Sequence, residues 1–81
     1  MHYTPKGVCS TGIDIETDGN IIRSVQFTNG CSGNTQGIAN LLAGMNIDEA
    51  VSRLDGIRCG RKETSCPDQL AQALKEIKRT L

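Results

Sequence analysis

Four cysteines, Cys9, Cys31, Cys59 and Cys66, are the residues of this chain best suited to chemistry. They lack the paired Cys-x-x-Cys of a zinc ribbon, so spacing alone decides little and placement says more. Cys66 stands inside Thr64-Ser65-Cys66-Pro67-Asp68, where a helix should begin. Ser65 can cap that helix, Asp68 follows three residues later as in a capping box, and Pro67 suits a first turn. The positive end of the helix dipole favours a thiolate at such a position. Cys31 opens the break Gly30-Cys31-Ser32-Gly33-Asn34 before another helix, Cys59 sits in the basic loop Arg58-Cys59-Gly60-Arg61-Lys62, and Cys9 lies at or near the first strand. Helix starts and strand ends can converge on one edge of a sheet, and thiolates gathered there bind zinc or iron.

Four readings of the cysteines compete. A tetrahedral four-cysteine site for Zn2+ leads, because it accounts for the count of four, a thin core and a reducing compartment together. An iron–sulfur cluster uses the same ligands, and sequence does not separate it from zinc. Two disulfides would suit a secreted protein of this size, but the N-terminus lacks the apolar run of a signal peptide. In the plainest reading the cysteines are separately buried small hydrophobes, a serious rival at Cys9 and a weaker one at Cys31 and Cys66.

The remaining polar groups carry less. His2 is the single histidine and, close to the terminus, is expected to be frayed. Without a second histidine, a histidine-based acid–base pair is excluded. Asp14, Glu16 and Asp18 alternate and so share one strand face, read as solvated. Residues 30–35 before a helix could offer N–H groups to an anion, but the P-loop ending is missing. A tight turn plus a cap, with Gly33 taking an awkward φ, is the better account. Arg58, Arg61 and Lys62 read as a solvated loop. No catalytic set emerges, which argues against a stand-alone hydrolase or transferase.

The elements that must position the cysteines belong to one small domain spanning all 81 residues. There is no Trp, one Phe (Phe27) and one Tyr (Tyr3), so the core forgoes the side chains that bury most apolar surface. A domain this small needs help from a metal, disulfides or a partner subunit. Nine basic and nine acidic side chains cancel, which argues against nucleic acid and anionic membranes and leaves self-association to a homo-oligomer unopposed. No apolar stretch is long enough to span a membrane, and a cytoplasmic location is expected.

Residues 8–17 and 21–28 flank Asp18-Gly19-Asn20 and read as a hairpin, with Ile13 and Ile15 on one face of the first strand. On the second strand, Ile21, Val25 and Phe27 are expected to share a face, interrupted by Arg23. Residues 4–7 could add a short edge strand, although Pro5 lacks a donor. A helix is expected from about Thr35 to Ala43, and another from Asn46 or Asp48 to Gly56. The last helix starts at Cys66 and carries Leu70, Ala73, Leu74, Ile77 and Leu81 at i, i+3, i+4, i+7 spacing. Strands first, then helices, makes an α+β fold: an antiparallel hairpin or small sheet followed by three helices packed on one face.

Three stretches together resemble the TSCPD domain family: Gly30-Cys31-Ser32-Gly33-Asn34 after a strand, residues 54–60 (Leu-Asp-Gly-Ile-Arg-Cys-Gly), and Thr64-Ser65-Cys66-Pro67-Asp68 followed by Gln69-Leu70. The likeness runs over nearly the whole chain and is to the short, stand-alone, four-cysteine bacterial members. It implies that Cys9, Cys31, Cys59 and Cys66 match the family's cysteines, with metal binding as their role. Related domains form C-terminal modules of adenosylcobalamin-dependent ribonucleotide reductases. The resemblance therefore implies an accessory part in deoxynucleotide synthesis, with a reductase as protein partner. Reductase catalysis itself does not carry over, since 81 residues cannot supply its barrel. A looser likeness is to iron–sulfur cluster scaffold proteins, which also run from strands into helices. There Gly30-Cys31-Ser32 and Cys66 fit the outline, Cys9 with Asp14 fits it roughly, and the alternative function is a cluster scaffold or thiol redox accessory.

Overall fold

The hairpin forms where turn chemistry and alternation agree. In the computed structural model, which describes all residues except 9, 30, 31, 59, 61, 62 and 81 and the backbone alone at 32 and 34, β1 is His2–Tyr3, β2 is Gly12–Asp18 and β3 is Ile21–Thr28. The three strands form an antiparallel sheet in the order β1-β2-β3. Gly19 turns the chain between β2 and β3 with φ +58°, a conformation that costs a glycine little. The edge strand is His2–Tyr3, upstream of the expected residues 4–7. His2 is therefore not frayed: it pairs with Asp14 across the strands, and its Nδ1 lies 2.8 Å from the Asp14 carboxylate.

The face assignment on β3 needs correction. Glu16 opposes Ser24 but Thr17 opposes Ile22, so Arg23 is an extra residue and the strand bulges there. A bulge inverts the alternation on one side of it. Ile22, not Ile21, consequently joins Val25 on the core side: Ile22 is fully buried whereas Ile21 is 41% exposed. Asp14, Glu16, Ser24 and Gln26 occupy the opposite, exposed face.

Three helices cover the inner face: α1 (Ser32–Leu42), α2 (Ile47–Leu54) and α3 (Cys66–Arg79). The first begins three residues before the expected start, and Gly33 lies inside it without a positive φ. Asn29 takes the left-handed φ of 61° instead. Asn46 caps α2 by accepting the Asp48 N–H at 2.8 Å. That start is tied to the sheet, because Ile22 donates to the Met45 carbonyl and accepts from Gly44 N–H. The core joins Ile13, Ile15 and Ile22 of the sheet to Leu42, to Ile47, Ala50 and Leu54 of α2, and to Leu70, Ala71, Ala73, Leu74 and Ile77 of α3. Tyr3 and Phe27 pack only at its margin, so aliphatic burial carries the core. Leu81, expected to extend the α3 stripe, lies outside the described residues.

Candidate metal centre at the head of α3

Ser65 starts α3 from an extended backbone, φ −152° and ψ 170°, and its hydroxyl accepts the Asp68 N–H at 3.1 Å. Pro67 stands in the first turn, where no intrahelical donor is needed. Asp68 does not complete the capping box with Ser65. Its carboxylate instead receives Gly56 N–H at 2.8 Å on Oδ1 and the Thr64 hydroxyl at 2.5 Å on Oδ2. Gln72 Nε2 adds a longer bond at 3.3 Å. Burial opposes ionisation of this carboxyl, yet the bonds from Thr64, Gly56 and Gln72 and the charge of Lys75 outweigh it and hold the pKa below its ordinary value.

Two chain segments lie against this helix head. The first descends along α3 towards its N-terminus. Asp55 meets Gln72 at 3.0 Å and Lys75 at 3.0 Å, Gly56 meets Asp68, and the Ile57 carbonyl accepts the Ser65 hydroxyl at 2.6 Å. Gly56 has φ +82°, which permits the turn out of α2 into this ladder. The second segment follows β1. Tyr3 hydroxyl donates to Gln69 Oε1 at 3.5 Å, Lys6 N–H donates to the same oxygen at 3.1 Å, and Ser10 Oγ lies 3.0 Å from Cys66 Sγ. Ser10 is buried. The next residue, Thr11, donates its N–H to the Thr28 carbonyl at 2.8 Å, and its hydroxyl accepts from Asn29 Nδ2 at 2.9 Å. The end of β3 is thereby bonded to the segment that touches Cys66.

Of the four predicted ligands, Cys66 is described: half-buried, unbridged and beside the Ser10 hydroxyl. Cys9, Cys31 and Cys59 lie outside the described residues, as do Arg61 and Lys62. Among the described residues no group of three or more His, Cys, Asp and Glu side chains could hold a metal. His2 has its Nδ1 engaged by Asp14, and Arg58 is exposed. Sequence reasoning missed Ser10 and the outward reach of Asp68. Ser10 is 56 residues from its partner, and nothing local in the sequence couples them.

A family model, that of the TSCPD domain, matches residues 1–78. The chain belongs to the TSCPD domain family. No curated protein and no solved structure gives a significant match. In this TSCPD domain the pentapeptide 64–68 acts as one physical unit. Thr64 donates to Asp68, Ser65 caps the helix and grips Ile57, Cys66 faces Ser10, Pro67 fits the first turn, and Asp68 joins Gly56 to Thr64. Among the described residues no helix is long and apolar enough to cross a membrane.

Proposed function

We propose that this TSCPD domain is a small cytoplasmic metal-binding module whose Cys9, Cys31, Cys59 and Cys66 hold one Zn2+. The observation that carries the reading is the convergence on the head of α3. Ser10, next in sequence to Cys9, touches Cys66; Asn29, two residues before Cys31, bonds to Thr11; Ile57, two residues before Cys59, bonds to Ser65. Described neighbours of all three other cysteines are thus linked to one another or to the segment around Cys66. The donor chemistry fits as well. A thiolate ligand gains from an outer hydrogen-bond donor, and the buried Ser10 hydroxyl at 3.0 Å from Sγ is able to supply one. Bound zinc would add to folding stability directly, which suits a core whose two aromatic residues lie at its margin. The output is protein association rather than turnover, with a ribonucleotide reductase as the partner the family resemblance suggests.

The test is elemental analysis of protein purified under reducing, oxygen-free conditions, beside Cys31→Ser and Cys66→Ser. About one zinc per chain is expected, with metal content and melting temperature falling together in both variants. Iron with acid-labile sulfide would replace zinc by the cluster-scaffold function. Absence of metal, or unchanged melting in both variants, would refute the metal-centre reading.

A further inference from the structure

We infer that Asp68 is the positioning residue of this centre, its carboxylate clamping both ends of the 56–64 excursion onto the head of α3. The geometry stands by itself, and its consequence for metal rests on the reading above. One oxygen holds Gly56 N–H at 2.8 Å, where the chain leaves α2, and the other holds the Thr64 hydroxyl at 2.5 Å, where the chain re-enters α3. A helix cap bonds to N–H groups of its own first turn, whereas the Asp68 carboxylate bonds to groups eight residues apart that both precede the helix. Asp68 is 8% exposed, and Gln72 Nε2 adds a third contact at 3.3 Å on the oxygen that holds Gly56. Gln72 also holds Asp55, and Gln69 braces Thr64 from the following turn at 2.9 Å. The excursion contains Cys59 in sequence and ends two residues before Cys66. Fixing its ends before metal arrives removes conformational freedom that binding would otherwise have to remove. Asp68 itself need not touch metal for this.

The experiment compares the full chain with Asp68→Ala, Thr64→Val and Thr64→Ser, each checked for folding by circular dichroism. In the metal-free state, amide exchange at Gly56 reads the clamp. Co2+ titration under reducing conditions, followed by the thiolate-to-cobalt absorption, reads the centre. Asp68→Ala should speed Gly56 exchange and weaken Co2+ binding by about 10-fold or more, with an unchanged spectrum once saturated. Thr64→Val should weaken Co2+ binding in the same direction. Thr64→Ser, which keeps the hydroxyl, should match wild type. If Asp68→Ala does not fold, the Thr64→Val and Thr64→Ser pair decides. Wild-type Co2+ affinity in Thr64→Val, or unchanged Gly56 exchange in a folded Asp68→Ala, overturns the inference while leaving the metal centre intact. A wild-type chain that gives no thiolate–cobalt band overturns the metal-centre reading, and the inference with it.

Discussion

Replacing Ser65 with alanine removes two interactions made by one hydroxyl. The oxygen accepts the Asp68 N–H, and its proton goes to the Ile57 carbonyl at 2.6 Å. Loss of a serine N-cap costs about 1 kcal/mol. The bond to Ile57 adds up to about 1 kcal/mol net, towards the low end because Ile57 is 40% exposed and water can replace the donor. The sum is roughly 1.5–2 kcal/mol. For a domain of this size each 1 kcal/mol moves Tm by about 4–8 °C, so Ser65→Ala should melt roughly 6–16 °C lower. Ser65→Gly separates the two parts, because glycine at an N-cap costs only a few tenths of a kcal/mol. It should lose about half as much as alanine. The assay is thermal and urea unfolding by circular dichroism, under reducing conditions with chelator present so that metal linkage does not mask the cap. A loss below about 0.5 kcal/mol in Ser65→Ala, or equal losses in the two variants, would refute the double role of the hydroxyl.

The bulge at Arg23 predicts unequal neighbours: Ile22→Ala should cost about 2–5 kcal/mol, and Ile21→Ala less than about 1 kcal/mol, by urea unfolding. Equal costs would place the bulge elsewhere. Tyr3, the single tyrosine, has its pKa raised by burial first and then by the negative charges of Glu76 and Asp68. Ultraviolet titration of the folded chain should therefore ionise the phenol above its ordinary value of 10.0. Folding favours the protonated phenol, so its contribution to stability is whole below the unfolded pKa and is lost as pH rises through the folded one. Titration at or below the value of an unfolded control would contradict the packing of Tyr3 between the core and Gln69.

What could be read from the residues themselves was local. Asp18-Gly19-Asn20 closes a hairpin because Gly19 takes the positive φ of 58° there at little cost. Asn46 and Ser65 cap helices because a short side-chain oxygen reaches the N–H two or three residues on. The stripe Leu70, Ala73, Leu74, Ile77 marks α3 because helical period repeats within a turn. The stretches 30–34 and 54–60 and the Thr64 to Asp68 pentapeptide with Gln69-Leu70 were likewise enough to recognise the family. Tertiary structure decided the rest, where partners far apart in sequence set the outcome. Pairing across β2 and β3 placed the bulge that turned Ile22 inward, although simple alternation favoured Ile21. Gly56, held by the turn out of α2, drew the Asp68 carboxylate across the loop, away from the expected capping box. The pairing of β1 with β2 ordered His2, and the packing of Tyr3 and Lys6 against Gln69 goes with the contact of Ser10 with Cys66. Local propensity acts over three or four residues, whereas these contacts exist only once the sheet and α3 have packed.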